Sequence, residues 1–260
     1  MERTKSNLIH EKREMNKMSL DSYVLDKHNV LDNPIDKIID DLGKKLKNNW
    51  KEHDEWRKME QENPEKYNNL NEIAEQTGHS LEQQLYGYYI ENVYIEEEIT
   101  ALLEVKIIYA FKHFEINLKK LIKAAYDDKN FDKNYKWESI RQYLSLKNIE
   151  IKNIKNYTEV NQLREINNAI KHSENYFENN DLKNKIPEFK NKEPSIRELY
   201  KFYKRIKKCP NVFLQSLCSK IYEDLYDFTE DKIEELADSI AIRMDFKEAK
   251  ILIEKLKENY

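Results

Sequence analysis

Glycine is almost missing from this chain: Gly43, Gly78 and Gly87 are the only three in 260 residues, and there are only five prolines, against averages of roughly 7% and 5%. Strand-rich folds draw heavily on glycine for their turns. Their scarcity excludes a fold of many hairpins and points to an all-α protein. Cysteine is as scarce. Cys209 and Cys218 form no framework of spaced pairs, so they read as reduced thiols rather than a disulfide scaffold or a zinc site. No apolar run approaches the ~20 residues of a membrane span, and the opening Met1-Glu2-Arg3-Thr4-Lys5 lacks the apolar stretch of a secretory signal. The expectation is a soluble, cytoplasmic protein with no membrane partner.

Strong charge of one sign is also lacking. A net charge of −4 gives no global pull toward nucleic acid, so any such binding must use a local patch. There is no Gly-rich phosphate loop. His10, His28, His53, His79, His113 and His172 are scattered without ligand spacing, and no cofactor or metal is expected.

What the chain has is length and amphipathic bulk. Its 31.6 kDa can bury a real core, and seventeen tyrosines with nine phenylalanines argue against disorder. The first thirty residues are polar and weakly periodic, and read as an arm that ends at Asp32-Asn33-Pro34. A helix is expected after Pro34, carrying Ile35, Ile38, Ile39, Leu42 and Leu46 at helical spacing and broken at Asn63-Pro64. A shorter helix from Leu70 ends at Thr77-Gly78.

Ser80 with Gln83 three residues on is a capping-box pattern. The next break signal is Asp127-Asp128, so residues 80 to 126 form one very long helix, or two nearly collinear ones hinged near Gly87. Leu103, Ile107, Ala110, Phe111, Phe114, Leu118, Leu121 and Ala125 make one apolar stripe, with Ala101, Val105 and Ile108 as a second. After a polar loop from Asp127 to Lys136, a helix from Trp137 to about Leu146 precedes an irregular connection, Asn148 to Tyr157, holding Ile149, Ile151 and Ile154. Thr158 is the N-cap candidate for a helix to Ser173. A long basic loop, Asn179-Asn180-Asp181 and on through Pro187 to Pro194, leads to helices from Ser195 to Lys208 and from Pro210 to about Phe228, then to a charged amphipathic segment, Thr229 to Lys257. The domain reading is 1–79 as an N-terminal helical extension, 80–228 as a helical bundle, and 229–260 as a C-terminal amphipathic segment.

The densest polar chemistry is Val160-Asn161-Gln162-Leu163-Arg164-Glu165-Ile166-Asn167-Asn168-Ala169-Ile170-Lys171-His172-Ser173. Leu163, Ile166 and Ile170 share an apolar stripe, while Arg164, Asn168 and His172, spaced by four, drift only about 40° per step along another. This run, about fifty residues after Tyr109-Ala110-Phe111-Lys112-His113-Phe114-Glu115 on the long helix, resembles the HEPN superfamily over about Ser80 to Asp227. The resemblance implies an up-and-down helical bundle, here with extra N- and C-terminal helices, usually homodimeric. It also implies a metal-independent endoribonuclease of the kind found in microbial defence and toxin–antitoxin systems, with RNA as substrate and an antitoxin or defence protein as partner.

The family signature is an arginine, commonly followed by a polar residue, with a histidine four to six residues beyond. His172 matches the histidine, Asn168 matches the polar position, and Asn167 occupies the arginine's slot. The variant motif is therefore Asn-Asn-x-x-Lys-His. Lys171 or Arg164, or a cation of a second subunit, would have to replace the guanidinium that binds the scissile phosphate. His172 would act as general base or acid in transesterification, since an imidazole ordinarily titrates near ~6.5, and Asn168 would orient the histidine or the phosphate. Glu115 either polarises His172 or is a solvated charge.

Two alternatives stay open. The chain could be a catalytically inactive HEPN-like dimerisation or partner-binding module. The cation-rich run Arg197 to Lys208 could contact RNA backbone, or be charged outside over a buried stripe of Leu199, Phe202, Tyr203 and Ile206.

Overall fold

A computed structural model of the chain describes residues 5–25, 30–128, 131, 136–173, 176–190 and 195–259, without the Phe177 side chain. Among them there is no strand. The helices are α1 (Lys5–Asp21), α2 (Asp32–Glu62), α3 (Pro64–Gln76), α4 (Leu81–Tyr126), α5 (Trp137–Ser145), α6 (Tyr157–His172), α7 (Asn180–Lys185), α8 (Ile196–Ile206), α9 (Cys209–Tyr226), α10 (Glu230–Ala241) and α11 (Phe246–Lys257). The all-α expectation holds. No helix among the described residues is long and apolar enough to cross a membrane.

Local chemistry sets most boundaries. Asn63 stops α2 and caps α3, its side chain accepting from the Lys66 amide at 3.2 Å, with Pro64 as the first helical residue. The third helix therefore starts at Pro64 rather than at Leu70. Gly78, at φ +81°, closes α3: its amide donates to Glu75 O at 2.9 Å and that of His79 to Ala74 O at 3.0 Å, the paired bonds of a Schellman end. Ser80 Oγ then accepts from the Gln83 amide at 3.1 Å. From there α4 runs 46 residues without interruption at Gly87, about 69 Å at 1.5 Å per residue.

Three segments differ from expectation. The polar opening is helical as α1. Thr158 lies inside α6 rather than at its cap, and Asn156, at φ +62°, precedes the helix. The described part of the long basic loop holds α7 and a 3-10 turn at Pro187–Phe189. Residues 191–194 of that loop, and 129, 130 and 132–135 of the loop after α4, lie outside the described residues.

The chain divides into two compact units, each assembled from separated segments, with α4 and α6 contributing to both. Unit 1 comprises Met1–Lys27, His113–Val160 and Lys208–Tyr260. Its core gathers Phe114, Leu118, Leu121, Ile140, Leu144, Phe213 and Leu217, all buried, with Phe114 edge-on to Phe213 at 5.5 Å. Ile149, Ile151 and Ile154 seal the connection between α5 and α6. Helix α1 joins this unit through α9: Arg13 donates to Tyr226 O at 2.8 Å and Lys17 lies over the Tyr226 ring. Those contacts order a helix whose own periodicity is weak. Both cysteines are buried, and neither is in a disulfide.

Unit 2 comprises His28–Lys112 and Asn161–Lys207. Leu103 and Ile107 of α4, Leu163 and Ile166 of α6, and Leu199, Phe202 and Ile206 of α8 are fully buried. The second stripe of α4 is not covered to match, since Ala101 and Val105 are exposed and Ile108 is half-buried. Lys106 is buried to 1% exposure. Its ammonium pairs with Asp36 and lies 3.5 Å from Asp32, both on α2, and sits 4.6 Å from the Tyr203 ring centroid.

Candidate functional site

Most of the apolar side of α6 is sealed: Val160, Leu163 and Ile166 are completely buried, and Ile170 is half-buried. That fixes where the polar residues go. Asn168, Lys171 and His172 are all exposed in the last turns of the helix, where spacings of three and four place them side by side. A cation, an amide and an imidazole thus share one open surface. His172 is the last residue of the helix.

Asn167 does not join them. It is 1% exposed, its amide donates to Asn168 Oδ1 at 3.2 Å, and its own oxygen is buried without a partner. The residue in the arginine's slot thus steadies Asn168 rather than facing a substrate. Arg164 is half-buried and held locally: Nε and Nη2 both donate to Asn161 Oδ1, at 3.2 and 3.0 Å, and Nη2 lies 3.5 Å from Glu165. Glu165 also accepts from Asn161 at 3.1 Å and from Lys185 at 3.2 Å. Arg164 is eight residues before His172, about 12 Å along the axis. Glu115 belongs to unit 1, where it accepts from Lys119 one turn on, at 2.7 Å.

Two groups that sequence reading passed over hold the helix in place. Gln162, 7% exposed, donates to Lys185 O at 2.7 Å and accepts from Arg205 at 2.9 Å. Arg205 in turn forks onto Glu188, at 2.6 and 2.9 Å, a bidentate pair that fixes geometry as well as charge. Beyond His172, the buried Tyr176 donates to Glu104 of α4 at 2.8 Å. Burial first, then this bond to a carboxylate, pushes the phenol well above its ordinary pKa. The exposed turn is therefore bracketed by buried anchors on both sides. No local motif marks them, because each pairs with a residue 17 to 72 positions away.

In α8, Leu199, Phe202, Tyr203 and Ile206 are buried while Arg197, Lys201 and Lys204 are exposed, as are Lys207 and Lys208 just beyond it. The buried stripe accounts for the aromatics of that run. A separate open groove of about 1190 Å³ lies in unit 2 between α2, α4 and the start of α8. Its walls include Leu46, Val93 and Tyr200 with charges of both signs, among them Lys47, Glu97 and Arg197, and it takes no residue from α6. Among the described residues, no group of three or more His, Cys, Asp or Glu side chains is placed to hold a metal ion. Comparison of the chain with protein-family models, with curated proteins and with solved structures finds no match.

Proposed function

We propose that this is a HEPN-like helical effector acting on RNA without a metal, with the C-terminal turn of α6 as its working surface. The observation that carries the reading is the joint exposure of Asn168, Lys171 and His172 beyond an apolar stripe whose Leu163 and Ile166 are completely buried and whose Ile170 is half-buried. These are the residue types needed to contact a phosphate, orient it and move a proton. One helix turn offers too few of them for transesterification. A second copy would supply the opposing groups, with Lys171 in place of the missing arginine as the phosphate-binding cation. Such activity fits the toxin–antitoxin and defence roles that the family resemblance implies.

The experiment is incubation of the purified chain with mixed RNA in excess chelator, beside His172→Ala, Asn168→Ala and Lys171→Ala. Chelator-resistant cleavage with cyclic-phosphate ends is expected, reduced about 100-fold or more in His172→Ala, the scale of one lost general acid–base group. The burial of Asn167 and the capture of Arg164 favour a second reading, a non-catalytic module that uses the same polar turn to bind a partner protein. Equal background in all four proteins would select it.

A further inference from the structure

Helices α10 and α11, joined by residues 242–245, contain no buried residue, although both are well formed. Asp245 makes a full capping box with Glu248 at the start of α11, and Thr229 accepts from the Lys232 amide at the start of α10. Each helix also carries an apolar stripe. At 100° per residue, Ile233, Leu236, Ala237 and Ile240 share one face of α10, and Ala249, Leu252, Ile253 and Leu256 share one face of α11. Ile233, Leu236, Ile253 and Leu256 remain 48 to 53% exposed. Both stripes are thus left about half open, and a further layer would bury them.

Charge identifies the layer. Helix α10 carries five acidic residues and one lysine, whereas α11 carries four lysines and two glutamates. On the same helical wheel, Glu230 and Glu234 flank the α10 stripe, and Lys250 and Lys257 flank the α11 stripe. We propose that this hairpin pairs with the hairpin of a second copy of the chain, α10 of each facing α11 of the other, to close a four-helix bundle. A two-fold axis makes both crossings acid on base, while stacking like on like would repel. A lipid surface would instead call for basic flanks on both helices.

The contacts of the two lysines leave them available for this role. Lys250 lies over the Phe246 ring at 4.5 Å and Lys257 is 3.1 Å from Glu254, exposed interactions of little energetic weight. Twelve-residue helices are about 18 Å long and a pair is about 20 Å wide. The face, about 360 Å² per copy, is below the size of a stable interface, so the dimer is weak and reversible.

Sedimentation velocity on the full chain from about 1 to about 100 µM at low salt tests this. The expected result is a rise of the weight-average mass toward that of a dimer, weakened by salt. Leu236→Glu with Ile253→Glu raises the dissociation constant at least tenfold with unchanged helical circular dichroism, because both positions are half-exposed in one copy. Glu230→Lys with Glu234→Lys does the same, and so does Lys250→Glu with Lys257→Glu. Mixing these last two proteins restores association as a heterodimer. A chain that stays monomeric at 100 µM, or a dimer indifferent to all three pairs of substitutions, overturns the proposal.

Discussion

Lys106 is a charged side chain with 1% exposure, and its neighbours decide what each of its substitutions costs. The Asp32 and Asp36 side chains are 18% and 40% exposed, so water partly solvates the carboxylates but not the ammonium. Removing the cation leaves two anions that can hydrate; removing both anions strands a buried cation, at about 3–5 kcal/mol. The double substitution Asp32→Ala, Asp36→Ala should therefore lower the urea midpoint more than Lys106→Met, whose flexible apolar chain fills the same channel. The reverse order would show that the pair does not hold Lys106. Buried hydroxyl and thiol groups set the alkaline limit. Burial, the largest cause in each case, pushes the Cys218 thiol up to about 11 and the Tyr143 phenol up to about 12. Tyr126, Tyr176 and Tyr222 are raised further, again mainly by burial. A group whose folded pKa is raised keeps its full contribution below the unfolded pKa and loses it as pH climbs through the folded one. The contribution from Cys218 should hold below about 9 and be lost between about 9 and 11, with the tyrosines extending the decline. Urea midpoints measured at half-unit steps from pH 8 to 11 check this, and a midpoint level to pH 11 would contradict it. Native Cys218 should also resist iodoacetamide at pH 8, since it stays a thiol there.

At the scale of elements, what could be read from the sequence depended on how local the cause was. Asn63-Pro64 and Gly78 act within four residues of themselves, so both boundaries were legible. Asn148, at φ +57°, closes α5 with the same pair of bonds as Gly78, Ile149 to Leu144 and itself to Ser145. The helix end near Leu146 was legible, but the part Asn148 plays in it was not, because asparagine has many other uses in so asparagine-rich a chain. The sealed face of α6 followed from its apolar spacing. The withdrawal of Asn167 and the anchoring of the helix did not, because Lys185, Glu188 and Arg205 reach it from other segments. Helix α1 was missed for a related reason: its order comes from α9, not from its own pattern. The glycines give a test of opposite signs. No atom lies within 4 Å of a Cβ added at Gly78 or Gly87, so backbone preference alone decides. Gly78→Ala should destabilise by about 1 kcal/mol because of its positive φ, whereas Gly87→Ala, inside α4, should stabilise by about 0.5–1 kcal/mol. Thermal unfolding of the two variants should move in opposite directions, and shifts of the same sign would refute the assignment.

For the whole molecule, the question is which parts carry the stability and which carry association. The cores of both units are built without α10 and α11, which bury nothing. The described tie between them and α9 is Lys232, whose ammonium donates to Glu223 O at 2.7 Å and Asp227 O at 3.1 Å. Those carbonyls lie at the end of α9, where a cation also meets the negative end of the helix dipole. A contact of that kind is worth about 1 kcal/mol, or about 2–4 °C of melting temperature in a chain of this size. A chain ending at Phe228 should therefore melt within about 4 °C of the full one at a concentration where both are monomeric. A fall of 10 °C or more would mean that the last two helices cover a core. The same truncation should abolish the concentration-dependent mass, because both charge-flanked stripes leave with it. It also separates the two roles assigned to the chain. Asn168, Lys171 and His172 remain in place on α6, so RNA cleavage that disappears with the hairpin and returns when two truncated copies are fused to a separate dimerising coiled coil would trace to pairing, whereas cleavage unaffected by truncation would place the working site within a single copy.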